Sequence, residues 1–277
     1  MQHSSLFALL ALFVLAAAPI WAVAPLNLVM PATTVSNDGV IDYGMVGPGQ
    51  SFAIKISPTV REGNVASGKY LGRWDGAYAT KLPEGWKTRP SGLYGDPLNV
   101  EVTVDPLAVE GDYSFSVVAE DENGADHIGG AISFNVVVHV RRDVLAASIT
   151  PIMQEVGAGQ PARFTVTLTN LGTAPDTFRI GAQGVKGWSY VVSEYLAPGA
   201  TKTFNYEVVG ADEAYYPLVL FVESQSSPQI RYEQPVSLQV RTNLVADFKA
   251  TSHGVLLYPP IMLPVYSLAG ILGLFFP

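Results

Sequence analysis

The chain has 277 residues, 48% hydrophobic and 14% charged, enough apolar material for two ordinary domain cores and too little charge for a disordered solvating segment. Its formal net charge of −8 argues against a nucleic-acid partner, because phosphate binding draws on clustered Lys and Arg. The absence of cysteine removes disulfides, thiolate metal sites and thiol nucleophiles together, and in an exported chain it points to a bacterial or archaeal surface.

Residues 1–24 read as a signal peptide or an N-terminal anchor. The apolar run from Leu6 to Ile20 has the length of a signal h-region, and Ala22-Val23-Ala24 forms a small-residue site after it. Pro25 obstructs cleavage at that bond, which leaves cleavage after Ala22 or an uncleaved anchor.

Residues 25–141 read as a first β-sandwich. Apolar and polar residues alternate with the period of a half-buried strand at Ser51 to Ile56, Asn99 to Val104, Asp112 to Ala119 and Ala131 to Val140. Asn123-Gly124 between the last two is a hairpin signal, since both residues tolerate positive φ. Residues 142–151 read as a linker and 152–242 as a second sandwich. Its strands are expected at Ala162–Thr169, Asp176–Gly181, Ser189–Ser193, Thr201–Val209, Tyr215–Glu223 and Gln234–Val240. Phe164, Val166 and Leu168 share one face of the first of these, and the hairpin Pro161 to Ile180 is expected to be a central pair of the sandwich.

An internal repeat supports the division. Val46-Gly47-Pro48-Gly49-Gln50 matches Val156-Gly157-Ala158-Gly159-Gln160, Gly85-Trp86 matches Gly187-Trp188, and Ser133-Phe134-Asn135-Val136 matches Ser237-Leu238-Gln239-Val240. The changing offset puts extra residues in the first copy between Ser57 and Gly85.

The stretches VGAGQPARFTVTLTNLGTAPDTFRI, GVKGWSYVV and LAPGATKTFNYEV resemble an immunoglobulin-like domain of prokaryotic membrane-anchored surface proteins, of the CARDB-like or NPCBM-associated type. The resemblance covers the second domain and, more loosely, the first. It implies an all-β fold of two tandem immunoglobulin-like β-sandwiches, flanked here by the N-terminal signal segment and a C-terminal transmembrane segment. It transfers no catalytic residue.

Residues 243–253 form a polar connector, and 254–277 is an uncharged apolar stretch with the length of a membrane anchor, interrupted by Pro259, Pro260 and Pro264. The expected location is the cell surface, anchored in the cytoplasmic membrane by this segment.

Candidate chemistry is sparse. Of four histidines, His3 lies in the signal and His253 beside the anchor; His127 and His139 read as a turn and a strand residue rather than a metal pair. Asp121, Asn123 and Asp126 in one acidic turn are a weak calcium candidate without EF-hand spacing. Segment 61–95 is the best interaction candidate. It sets six basic residues (Arg61, Lys69, Arg73, Lys81, Lys87, Arg89) against three acidic ones (Glu62, Asp75, Glu84) and is rich in aromatics. Its candidate binding residues are Tyr70, Arg73, Trp74, Tyr78, Lys81 and Tyr94, with Trp74 either an exposed stacking ring or a core residue. No cofactor and no enzymatic activity are expected. The expected role is a membrane-anchored surface protein presenting two domains to other envelope or surface proteins. The alternative is a polysaccharide-binding adhesion module using the aromatics of 61–95.

Overall fold

A computed structural model describes residues 25–241 apart from 123, 125 and 127. The signal, connector and membrane-anchor readings at 1–24, 243–253 and 254–277 lie outside the described residues. Among the described residues there is no helix long and apolar enough to cross a membrane. The described residues divide into two compact units: 25–43 with Ala53–Val102 and Tyr113–Val137, and Gly44–Phe52 with Thr103–Asp112 and 138–241.

Among the described residues eleven strands precede residue 141: β1 (Leu26–Met30), β2 (Thr33–Val35), β3 (Val40–Val46), β4 (Ser51–Ile56), β5 (Thr59–Arg61), β6 (Tyr70–Arg73), β7 (Gly76–Thr80), β8 (Lys87–Arg89), β9 (Leu98–Thr103), β10 (Gly111–Glu120) and β11 (Ala131–Val140). They form sheets of order β2-β1-β4-β9-β8 and β3-β11-β10-β7, with β5-β6 as a separate hairpin. Strict alternation buries one face of the long strands: Phe52, Ile54 and Ile56 on β4, and Ile132, Phe134, Val136, Val138 and Val140 on β11. Gly124, in the connection from β10 to β11, has φ +60, the left-handed backbone that the Asn-Gly signal requires.

Eight strands follow among the described residues: β12 (Leu145–Thr150), β13 (Met153–Val156), β14 (Pro161–Asn170), β15 (Asp176–Gln183), β16 (Val191–Leu196), β17 (Thr201–Val209), β18 (Tyr215–Ser224) and β19 (Arg231–Val240). The sheets are β12-β14-β17 and β13-β19-β18-β15-β16. Phe164, Val166 and Leu168 of β14 and Tyr206 and Val208 of β17 share one buried cluster with Phe178, Ile180, Leu220, Val222, Leu238 and Val240 of the other sheet. Two sheets around one core are a β-sandwich, and burying each large apolar side chain favours folding by about 1.5–3 kcal/mol.

The strand order is immunoglobulin-like. The chain starts in the three-stranded sheet, crosses to run parallel beside the last strand (Met153 opposite Ser237, Val156 opposite Val240), and keeps the next two strands in different sheets. A tyrosine corner adds to this: the Tyr216 hydroxyl, at the start of β18, donates to the Asp212 carbonyl at 3.0 Å. Tyr216→Phe is expected to cost about 1 kcal/mol in urea unfolding, the worth of one hydrogen bond, with the ring's packing retained.

Two expectations are corrected. β14 and β15 do not pair; the turn between them carries the chain from one sheet to the other, so each buries its apolar face against the other sheet. The linker expected at 142–151 contains β12, which runs antiparallel to β14 from Leu145 opposite Asn170 to Thr150 opposite Thr165. Its alternation is muted because Ala146, Ala147 and Ser148 are small, yet Ile149 reaches the core. Segment 61–95 carries β6, β7 and β8.

Candidate functional site

The 61–95 segment opens with the β5-β6 hairpin, in which Thr59 faces Arg73 and Arg61 faces Tyr70. A 3-10 turn over Glu62–Asn64 joins the strands. Its return is held by the Glu62 amide on the Lys69 carbonyl at 2.9 Å and by Arg61 Nη1 on the Gly68 carbonyl at 3.0 Å. Asn27, Ser57, Thr59, Arg61, Val65 and Ala66 line an open groove of about 360 Å³ beside it.

Trp74 is not a surface ring. It is 1% exposed, its amide donates to the Pro58 carbonyl at 2.8 Å, and its covered faces have no room for a sugar or a partner side chain. Its neighbours Arg73 and Asp75 suggest a polar surface in the sequence. The chain instead passes directly into β7, whose Gly76 and Ala77 are buried with it. Trp86 is buried as well, its ring 5.5 Å from that of Tyr113 and 6.2 Å from that of Phe115.

Arg73 and Tyr94 come together. The Arg73 amide donates to Asp126 Oδ2 at 2.8 Å, and its Nη2 reaches the carbonyls of Tyr94 at 2.9 Å and Gly95 at 3.3 Å. Its guanidinium carbon lies 5.9 Å from the centre of the Tyr94 ring, within cation–π range. Tyr94 sits at φ +60, a left-handed backbone that a residue with a Cβ adopts at a cost of about 1–2 kcal/mol. The Tyr94 amide donates to the Asp75 carbonyl at 2.7 Å, which with the Arg73 contacts holds that strain in place. The Tyr94 side chain is nonetheless 53% exposed, and Leu93 beside it is exposed too. Strain maintained by surrounding contacts in support of an exposed ring is a feature of binding surfaces.

Tyr70 is exposed on β6, together with Leu71 and Val65. Lys81 is exposed in the turn after β7, also at positive φ. Tyr78 is half-buried on β7; partial burial first, and then the charge and hydrogen bond of Glu120, push its phenol pKa up. The sequence reading missed Val65, Leu71 and Leu93, because isolated aliphatic residues between glycines carry no periodicity. The turn chemistry of Ser91-Gly92-Leu93-Tyr94-Gly95 was the available signal.

The calcium candidates do not form a ligand set among the described residues, where no three His, Asp or Glu side chains converge. Asp126 clips the Arg73 amide, Asp121 is buried with its Oδ2 unpaired, and Asn123 lies outside the described residues, as does His127. His139 Nδ1 lies 2.8 Å from Asp112 Oδ1, and Arg141 Nη2 lies 2.9 Å from the same oxygen. Hydrogen bonds from His139 and then Arg141 hold the Asp112 carboxyl below its ordinary range.

No family model matches the chain. No curated protein matches it either. Among solved structures, a chimeric titin Z1Z2 aligns at 13% identity over 80% of this chain and 100% of its own, with a TM-score of 0.32. Fibronectin(III)-like modules of Clostridium thermocellum CbhA align at 14% identity over 78% of this chain and 94% of their own, with a TM-score of 0.28. A β-glucosidase from Listeria innocua in complex with glucose aligns at 14% identity over 34% of this chain and 16% of its own, with a TM-score of 0.27. At these scores the likenesses add nothing to the strand order, the shared core and the tyrosine corner, on which the immunoglobulin-like assignment rests.

Proposed function

We propose that the protein is an exported, non-catalytic surface module of the CARDB-like or NPCBM-associated type, anchored in the cytoplasmic membrane by residues 254–277, that binds another envelope protein through segment 61–95. One observation carries the reading: an exposed tyrosine, Tyr94, is kept in a strained backbone by Arg73 and by the Asp75 carbonyl. The exposed Leu93, Tyr70, Leu71 and Val65 of the same segment and its basic excess supply aromatic, aliphatic and cationic side chains of the kind that protein interfaces favour.

The test is detergent extraction of the full chain from its native membrane, with mass analysis of what co-purifies. A stoichiometric envelope partner is expected. Tyr94→Ala should weaken its binding about tenfold, the range of a modest hot spot, without lowering the melting temperature. Release by carbonate alone rejects the anchor, and an unchanged affinity rejects the site. A second reading is polysaccharide binding, which the groove lined by Asn27, Ser57, Thr59 and Arg61 favours because these side chains can bond sugar hydroxyls. It predicts retention on an insoluble polysaccharide that Arg61→Ala abolishes.

A further inference from the structure

Strand β16 is the outer edge of the five-stranded sheet. Its inner side pairs with β15, from Asp176 opposite Leu196 to Gly181 opposite Val191, and among the described residues no strand covers its other side. An edge of this kind presents a row of unmatched amides and carbonyls, which proteins ordinarily guard with lysine, proline or a bulge. β16 has none of these within Val191-Val192-Ser193-Glu194-Tyr195-Leu196. Its one charge, Glu194, is engaged by Lys202. Its exposed row is Val191, Ser193 and Tyr195, with Tyr195 63% exposed. The three-stranded sheet shows the contrast: its outer face is a polar ladder of Thr165 with Asn205, Thr167 with Thr203 and Thr169 with Thr201.

We propose that β16 pairs with β16 of a second copy of this chain, antiparallel about a two-fold axis through Ser193. The register follows from the sequence of the strand. A two-fold axis perpendicular to a sheet keeps each side chain on its own face, so the axis must pass through a residue rather than between two. An axis at Glu194 sets two carboxylates opposite each other, a destabilising pair. With the axis at Val192, Tyr195 faces Ser189. Placed at Ser193, it sets Val191 against Tyr195 of the second copy on both sides of a Ser193 pair, so both exposed apolar residues meet in β-branched–aromatic pairs of the favourable cross-strand kind. Val192 then faces Glu194, with no like charges opposed. The strand is self-complementary in that register, and the partner it fits is itself. This surface is independent of segment 61–95.

The chain contains no cysteine, so Ser193→Cys introduces a single thiol. In the proposed register the two thiols lie directly opposite, within reach of a disulfide after small adjustment. The experiment is mild oxidation of the full-length Ser193→Cys protein in detergent, read on a non-reducing gel. Thr203→Cys, exposed on β17, serves as the control. Unmodified protein and Tyr195→Lys are compared by sedimentation. The expected results are a covalent dimer for Ser193→Cys alone, a two-chain species for the unmodified protein, and a one-chain species with an unchanged melting temperature for Tyr195→Lys. A single-chain unmodified protein at every concentration, or equal cross-linking at 193 and 203, overturns the proposal.

Discussion

Asp176→Ala is expected to lower the unfolding free energy by about 3–5 kcal/mol, because several buried donors then lose their acceptor at once. Asp176 opens β15 at 4% exposure, with no cation among its hydrogen-bond partners. Among the described residues, four hydrogen bonds meet its two oxygens. Oδ2 accepts from Gln50 Nε2 at 2.7 Å and Ser224 Oγ at 2.6 Å, and Oδ1 accepts from the Thr177 amide at 2.7 Å and Ser226 Oγ at 2.9 Å. Gln50 is itself fully buried, and its Oε1 accepts from the Gly47 amide at 2.8 Å. Asp176 therefore joins three segments of the second unit: the Gly47–Gln50 turn, the start of β15 and the end of β18. Asp176→Asn should recover only part of the loss, because its amide turns a donor towards donors already in place. Gln50→Ala removes two of the bonds and is expected to cost about 2 kcal/mol. The double variant should lose less than the sum of the singles, since both break the same contact. Urea unfolding followed by tryptophan fluorescence measures all four. A loss below about 1 kcal/mol for Asp176→Ala would mean that the network is slack and that water replaces it.

This network marks the limit of what the sequence shows. Long strands with one buried face were legible from alternation: β4, β11 and β17 lie where Ser51, Ala131 and Thr201 begin their runs, and β14 extends one residue beyond each end of its expected span. The β12 strand was not legible, because Ala and Ser give too little contrast between its faces. The separation of β14 and β15 into different sheets was hidden because alternation reports which face is buried but not which strand lies alongside. At the candidate site, composition singled out segment 61–95 and Tyr94 within it, but left open whether Trp74 stacks on a ligand or packs in the core. Trp74, flanked by Arg73 and Asp75, is buried, whereas Tyr94 is exposed and its carbonyl is held by an arginine 21 residues earlier. The partnership of Gln50 with Asp176 spans 126 residues, and local pattern has no access to it.

The repeated Val-Gly-x-Gly-Gln turn allows a direct comparison of one substitution in two settings. Gly49→Ala is expected to cost about 3–4 kcal/mol and Gly159→Ala about 1–2 kcal/mol. The two turns share their local design. The Gln50 amide donates to the Gly47 carbonyl at 3.2 Å, and the Gln160 amide to the Gly157 carbonyl at 3.1 Å. Each glutamine side chain returns to the first glycine's amide, at 2.8 Å for Gln50 and 3.3 Å for Gln160. Gly49 lies at φ +72 and Gly159 at φ +73, so an added Cβ meets the same left-handed backbone strain at both. Their surroundings differ. A Cβ on Gly159 would have nothing within 4 Å, whereas one on Gly49 would overlap the Ser226 carbonyl, backbone that cannot swing aside like a long side chain. Ser226 also supplies one of the hydroxyls on Asp176, so displacing it should disturb that carboxylate as well. Combined with Asp176→Ala, Gly49→Ala should therefore cost less than it does alone, whereas Gly159→Ala should add its full cost. Equal losses at positions 49 and 159 would show that backbone strain is the whole penalty and that the approach of Gly49 to Ser226 is loose.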